Sequence, residues 1–277
     1  MLDQFLPQLV NGLTLGVIYA MIAVGYTMVY GVIELINFAH GEIYMFGAFF
    51  CVMFISVFGV PFYLAIVMAM GCCAVMGILL DIVAYRPLRN APRLAALITA
   101  IGMSIFLQNL AMVIWGSRSL PFVQDAVPAY LNETALNMGD VYLTWLQVFI
   151  FAVTIVMMLG LFFIITYTKI GTAMRALAQN KTAAALMGIN VNFVISFTFA
   201  LGSAFGAMAG ILVSVYYNTL YPTMGYVAGV KAFAAAVLGV SARFRAPCWV
   251  AWSWVLPRPW VPVMSRRCIV MVSPMRC

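Results

Sequence analysis

Long apolar runs separated by short polar segments dominate the sequence. A helix needs about 20 mainly apolar residues to cross the hydrocarbon core of a bilayer. Strict alternation over segments of about ten residues, which is typical of a membrane barrel, is absent. The pattern therefore predicts an all-α fold, a polytopic transmembrane helical bundle, with spans at about residues 8–30, 41–59, 61–84, 94–115, 145–166 and 193–216 and a last run that begins near residue 225.

The composition strengthens this prediction. Of the 277 residues, 66% are hydrophobic and 8% are charged, whereas about a quarter of the residues in a typical globular domain are charged. The formal net charge of +7 does not indicate nucleic-acid binding, because its excess lies in six arginines after residue 239. The expected surroundings of the chain are membrane lipid.

Two short basic segments, 86–93 and 169–190, indicate how the spans are oriented. Each carries three basic residues, and the positive-inside rule places both segments in the cytoplasm. Two predicted spans lie between them, so the chain returns to the same side. The connection 116–144 and the N-terminus are then predicted to be extracytoplasmic. Arg86 and Arg89 are interpreted as anchors at the lipid surface, where a span ends.

Polar residues interrupt the apolar pattern between the first two runs. A charged side chain near the bilayer centre costs about 2.5–3.5 kcal/mol, so such groups usually face the bundle interior or water. Two interpretations stay open on spacing alone. The segment is either part of a translocation path built on a broken helix, or a cytoplasmic turn whose polar residues are solvated. The candidate path residues are Glu34, Asn37, His40 and Glu42.

The segment 169–190 predicts a short amphipathic helix in the cytoplasm. Alanine and leucine give it a high helix propensity, and Gly188 followed by Asn190 ends it. Such a helix can dock into a groove of a partner through its apolar face, or it can lie on the lipid surface. Both interpretations stay open on these features.

Three glycines at intervals of four residues mark one face of the predicted span 193–216. They are Gly202, Gly206 and Gly210. Small residues let a neighbouring helix approach closely in lipid. We therefore interpret this face as a packing surface within the bundle.

Motifs for catalysis and nucleotide binding are absent from the sequence. There is one histidine, there is no glycine-rich loop that ends in Lys-Ser or Lys-Thr, and there is no Gly-x-Ser-x-Gly turn. The six cysteines show no spacing of a metal site. We expect no enzymatic activity, no metal site and no cofactor bound by this chain. If ATP powers transport, another chain must hydrolyse it.

Several long motifs in a fixed order resemble one family. Over residues 1–239 the chain resembles the permease subunit of bacterial ABC importers for leucine, isoleucine and valine. The motifs that carry this resemblance are Gly12–Ala20, Gly25–Gly31, Ile36–Glu42, Ala84–Arg89 and Leu97–Asn109.

The resemblance implies a multi-pass protein of the bacterial inner membrane that works by alternating access. Its implied partners are a second homologous permease subunit, two cytoplasmic ATPase subunits that use ATP, and a periplasmic amino-acid-binding protein. A related permease for urea or short-chain amides would share nearly all of these motifs, so it stays an alternative. A proton-coupled secondary transporter would need a buried relay of acids or histidines, for which the sequence offers few candidates.

The resemblance also assigns a role to the second basic segment. Residues 171–190 resemble the cytoplasmic loop that transmits ATPase closure, whose general pattern is Glu-Ala-Ala-x-x-x-Gly. Threonine replaces the glutamate of that pattern here, which puts any contact of that carboxylate in doubt. The candidate residues of this coupling loop are Gly171, Arg175, Thr182, Ala183, Ala184 and Gly188.

The composition changes abruptly after Gly239. All 21 glycines lie before residue 240, and the segment 240–277 holds four of the six tryptophans. Read in the frame that starts one base before each codon boundary, Cys248-Trp249-Val250 becomes Leu-Gly. The shifted frame as a whole can encode a glycine-spaced apolar segment similar to what the family carries there. We therefore predict that 240–277 is an aberrant, frameshifted tail and that transport by this chain is impaired.

Overall fold

The structure is a computed structural model that describes residues 2–33, 37–89, 92–123, 126–138 and 141–241. Glu34 and the predicted tail from residue 242 onward lie outside the described residues. The fold is mostly helical, which confirms the predicted fold class. The helices are α1 (Leu2–Ile33), α2 (His40–Phe58), α3 (Phe62–Leu80), α4 (Arg93–Trp115), α5 (Trp145–Tyr167), α6 (Lys169–Gln179), α7 (Lys181–Leu186), α8 (Val191–Tyr217) and α9 (Met224–Ser241).

Six of these helices are long and apolar enough to cross a membrane. They are α1 to α5 and α8, and they coincide with the six complete runs predicted from the sequence. The last predicted run forms α9. Within the described residues, four short strands that no pattern in the sequence predicted lie in the connections: β1 (Leu120–Pro121), β2 (Thr134–Met138), β3 (Val141–Thr144) and β4 (Thr219–Leu220).

Helices α1 and α8 form the centre of the bundle, and α4 and α5 lie at its periphery. In the most apolar part of α1 and of α8, 78% of the residues are buried, against 22% in α4 and 17% in α5. The outer helices instead expose large apolar side chains such as Val113 and Val156. Such a surface suits contact with lipid tails, which solvate apolar side chains without cost.

The glycine face of α8 lies against α1 and α2. A Cβ atom on Gly202 would come within 3.0 Å of the carbonyl oxygen of Gly25 on α1. A Cβ atom on Gly210 would collide with the carbonyl oxygen of Tyr44 on α2, and Gly206 lies beside His40. The absence of side chains on this face therefore allows the central helices to pack backbone against backbone.

The two basic segments lie at the same end of the bundle. Arg89, after α3, donates a hydrogen bond of 2.6 Å to the side chain of Asn192 at the start of α8. Lys181 donates a hydrogen bond of 2.8 Å to the carbonyl oxygen of Ile33 at the end of α1. This arrangement supports a common side for both segments. Their placement in the cytoplasm stays a prediction.

The opposite end of the bundle holds the strands and the N-terminal part of α1. The β1 and β4 strands pair antiparallel, with Leu120 opposite Leu220, and β2 and β3 form a hairpin. Asn11 on α1 accepts hydrogen bonds of 3.0 Å from Gln147 on α5 and from Tyr216 on α8. The predicted extracytoplasmic connection and the start of α1 thus share one end.

Candidate functional site

The break between α1 and α2 turns the chain back into the bundle interior. His40, the first residue of α2, lies against Gly25 of α1 and against Gly202 and Gly206, which are close to the middle of α8. The imidazole ring of His40 also meets the ring of Tyr26 edge-on, with 5.6 Å between the centroids. Helix α2 therefore begins near the middle of the bundle and not at its surface.

Three of the four predicted path residues are buried here. Asn37 is 2% exposed, His40 is 1% exposed and Glu42 is 0% exposed. The fourth, Glu34, is outside the part of the chain that the structure describes. Whether these side chains line the translocation path stays a prediction.

Glu42 joins three helices at this depth. The hydroxyl of Ser104 on α4 donates a hydrogen bond of 2.9 Å to Oε1 of Glu42. The other carboxylate oxygen faces the backbone of Gly225 at the start of α9, where an added Cβ would lie 2.6 Å from it. Gly41 packs on Gly225 and Gly229 in the same way. Glycines on α9 therefore make room for Glu42.

Asn37 connects the break to the cytoplasmic end of α3, as the sidedness prediction defines it. The hydroxyl of Tyr85 donates a hydrogen bond of 2.8 Å to Oδ1 of Asn37, and Tyr85 is 1% exposed. Tyr85 closes a π-helical turn, Asp81–Tyr85, that extends α3. Such turns change the direction of side chains and are frequent at functional sites.

The interpretation of Arg89 as an anchor at the lipid surface is wrong. Its guanidinium group donates hydrogen bonds of 2.7 and 2.9 Å to the two carboxylate oxygens of Asp81, and its side chain is only 16% exposed. Ser196 on α8 donates a further hydrogen bond of 2.6 Å to Asp81. The buried carboxylate requires a charged partner, and the π turn places Asp81 within reach of Arg89.

No functional role was predicted from the sequence for several of these residues. Tyr85 and Ser104 donate hydrogen bonds to Asn37 and Glu42 of the break segment, which we define as residues 34–42. Arg89 and Ser196 donate hydrogen bonds to Asp81, in the same π turn as Tyr85. A signal was available for Asp81, because an acidic residue at the end of an apolar run is expected to find a partner. No signal was available for the two serines, since small hydroxyl residues are common in membrane helices.

The predicted coupling loop folds into two short helices, α6 and α7, and not into the single helix predicted from the sequence, because the chain leaves the helical conformation at Asn180. The side chains of Thr168, Asn180 and Asn190 cap the N-termini of α6, α7 and α8. On α6, Gly171, Met174 and Leu177 are buried, whereas Arg175 is exposed. Gly171 touches the carbonyl oxygens of Ile164 and Ile165, so no side chain fits there. The loop is thus fixed to the bundle by one face of α6.

The tip of the coupling loop exposes apolar side chains. Leu186 is 84% exposed and Met187 is 82% exposed. Thr182 and Ala183 are exposed as well, and Ala184 is buried.

Gly188 ends the tip in the left-handed region, with φ of 82°. Within the described residues, a Cβ atom added to Gly188 meets no atom within 4 Å. The demand for glycine at this position is therefore conformational, because L-residues rarely adopt this φ.

Buried polar residues at a break inside a bundle of apolar helices are typical of membrane transport proteins. The chain belongs to the family described as the permease component of branched-chain amino acid transport systems, whose model matches residues 8–252. It is therefore a multi-pass membrane permease and not an enzyme.

Curated relatives agree with this membership. The chain is 42% identical to the high-affinity branched-chain amino acid transport system permease protein BraD of Pseudomonas aeruginosa over 248 residues, which covers 85% of this chain and 79% of BraD. It is 44% identical to the permease protein LivH of Escherichia coli over 247 residues, with the same shares. A probable LivH of Methanocaldococcus jannaschii is 26% identical over 79% of this chain and 69% of its own length. No solved structure matches the chain.

Proposed function

We propose that this chain is one of two homologous permease subunits of an ATP-driven importer of branched-chain amino acids in the bacterial inner membrane. A periplasmic binding protein delivers the amino acid, and two cytoplasmic ATPase subunits bind and hydrolyse ATP. The family membership supports the cargo, because the curated relatives carry this description. The chain itself provides the path and the contact through which the ATPases act.

The exposed apolar tip of the coupling loop is the observation that carries this proposal. Leu186 and Met187 expose more than four-fifths of their surface at the basic end of the bundle. Apolar side chains at the end of a short helix suit a groove on a partner. Helix α6 packs on α1, α5 and α8 and also contacts α7, which carries the tip. These contacts support a route by which movement of the tip would reach the central helices.

The break segment is proposed as the element of the path that moves. Asn37, His40 and Glu42 connect α1 and α2 to α3, α4 and α9 through single hydrogen bonds and glycine contacts. Rocking of the central helices against each other would open this buried segment alternately to either side. Glu34 belongs to the same proposed element.

The test is uptake by the complete complex. Proteoliposomes that contain this chain, its partner permease and both ATPases are supplied with the binding protein and labelled leucine. We expect ATP-dependent leucine uptake by a chain whose reading frame after Gly239 is restored. Uptake of labelled urea or acetamide without leucine would establish the amide permease alternative, and uptake driven by a proton gradient without ATP would contradict the proposal.

The segment 240–277 belongs to this proposal as well. We propose that it is out of frame and that the encoded chain transports poorly. The support is the loss of glycine and the six arginines in a region where the preceding sequence is apolar. The family match ends at residue 252 and covers only the first part of this segment. The uptake assay is therefore run on the encoded chain and on a frame-restored chain.

A further inference from the structure

Helix α9 has two faces of different character. One face packs on α1 and α2 through small residues: Gly225, Ala228, Gly229 and Ala232 are buried. The other face points away from the described bundle. Tyr226, Val227 and Val230 on this outer face are between 43% and 61% exposed. Lys231 lies on the same outer face and is exposed as well.

The amine of Lys231 lies at mid-depth of the bundle. Its Nζ is 3.5 Å from the hydroxyl oxygen of Tyr19 and 5.3 Å from the centroid of the Tyr19 ring. Tyr19 is next to the midpoint of the 27-residue span Pro7–Ile33. The stem of Lys231 starts about two turns into α9, whose first residues lie beside the buried Glu42, so the amine has no short route to a membrane surface.

Within the described residues, no carboxylate pairs with Lys231. The ion pair found there joins Arg89 to Asp81, and the carboxylate of Glu42 faces Gly225 on the buried face of α9. A lysine at this depth is costly against lipid tails, and such groups face a water-filled path or a charged partner. The outer face of α9 is therefore a polar location within the assembled transporter, although its other exposed residues are apolar.

We infer that Lys231 binds the α-carboxylate of the transported amino acid halfway across the membrane. This inference rests on the proposed function and names the group that recognises the cargo. A zwitterionic amino acid that leaves water needs a partner for its carboxylate, and an ammonium group supplies one. The Tyr19 hydroxyl holds the amine in place. Val227, one helical turn before Lys231 on the outer face of α9, offers an apolar surface to an aliphatic side chain.

The positive charge of Lys231 also distinguishes amino acids from urea and short amides as cargo. Urea and short amides carry no carboxylate, so a cation in the path gives them no advantage. An amino acid gains an ion pair with Lys231 that urea and short amides cannot form. The lysine side chain is a compact charge on a flexible stem, which suits rapid binding and release better than a rigid bidentate group would.

The experiment compares three variants of the frame-restored chain in the reconstituted complex. Lys231→Met removes the charge at similar length, Lys231→Arg retains the charge, and Val230→Met is the control on the same face. Initial uptake of labelled leucine and ATP hydrolysis stimulated by the loaded binding protein are both measured. We expect Lys231→Met to lower uptake by about tenfold or more, as for loss of a hydrogen bond to a charged group.

ATP hydrolysis by Lys231→Met should change less than twofold, because the coupling loop is intact. Lys231→Arg should retain a large part of the uptake, and Val230→Met should transport as the unmodified chain does. Leucine uptake by Lys231→Met equal to that of the parent chain would overturn the inference. Equal losses in Lys231→Met and Lys231→Arg would overturn it too, since the charge would not be the property required.

Co-purification of the partner permease with Lys231→Met provides a further check. We expect it to be unchanged. Its loss would show that Lys231 pairs with an acidic residue of the partner and would overturn the inference. If the proposed function is wrong, the parent complex with Lys231 unchanged transports no leucine. If only the inference about Lys231 is wrong, the parent complex still transports leucine.

Discussion

Arg89 binds both carboxylate oxygens of Asp81, at 2.7 and 2.9 Å, where α3 ends and α8 begins. Asp81 is fully buried, and Ser196 and Asn192 on α8 complete the network through Asp81 and Arg89 respectively. A carboxylate in this position depends on its partner, because the charge has no access to water. The pair therefore fixes the end of α3 to α8 beside the break segment.

Removal of one partner of this pair should destabilise the protein strongly. We expect Arg89→Leu to lower the free energy of unfolding by about 3–5 kcal/mol, since it leaves the buried carboxylate of Asp81 uncompensated. The measurement is the thermal unfolding midpoint of the detergent-solubilised chain.

The double variant Asp81→Leu/Arg89→Leu is the matched control. It removes both charges and should recover part of the stability that the single variant loses. Arg175→Leu, on the exposed face of α6, should have little effect. A double variant less stable than Arg89→Leu would contradict the buried-pair interpretation.

The sidedness of the chain can be tested with two engineered cysteines. Ser117 follows α4 and Thr182 lies on α7, and both residues are exposed. In a background without native cysteines, we expect an impermeant thiol reagent applied outside spheroplasts to label Ser117→Cys. Thr182→Cys should be labelled only after lysis. Labelling of both from the same face would refute the predicted orientation.

The apolar tip of the coupling loop should be needed for ATPase contact. We expect Leu186→Glu to insert normally and to lose most of the stimulation of ATP hydrolysis by loaded binding protein. The reason is that a carboxylate does not enter an apolar groove without a partner. Leu186→Met keeps the apolar character and is the matched control. Full stimulation of ATP hydrolysis in Leu186→Glu would show that the tip does not dock into an apolar groove of the ATPase.

The backbone conformation of Gly188 should be required for stimulated ATP hydrolysis. Its φ of 82° lies in the left-handed region, where a β-branched residue is strongly strained and asparagine is tolerated. We expect Gly188→Val to reduce stimulated ATP hydrolysis and Gly188→Asn to retain most of it, at equal amounts of inserted protein. The same loss in both variants would indicate that added volume, not conformation, is responsible.

The frame of the coding sequence after Gly239 is open to direct test. Resequencing of the gene should reveal a one-base shift near codon 240. A chain with the shift corrected should assemble and transport leucine better than the encoded chain, because it recovers the glycine-spaced apolar segment. An intact frame, together with full uptake by the encoded chain, would refute this prediction.

The membrane helices could be predicted because each is a local feature. An apolar run of about 20 residues becomes a span whatever its neighbours are, and six such runs appear as helices with closely similar limits. The helical character of the segment 169–190 was predictable for the same reason, but its division was not. One helix was predicted, whereas Asn180 adopts an extended conformation and its side chain caps a second helix, α7.

Relationships between distant residues could not be predicted in this way. Leu120 and Leu220 pair across two strands of two residues each, and no periodicity marks so short a strand. The partner of Asp81 depends on the π turn, which reorients the end of α3. Likewise, Ser104 becomes the hydrogen-bond donor of Glu42 only through the packing of α4 on α2.

The seam between α2 and α9 has a mechanical consequence. Gly41 meets Gly225 and Gly229, so main chain touches main chain there. Most helix contacts interlock through side chains, and a relative shift then requires rotamers to change together. Glycines have no side chains that interlock at this contact. A small slide or tilt of α9 along α2 therefore requires no change of rotamer at these three glycines.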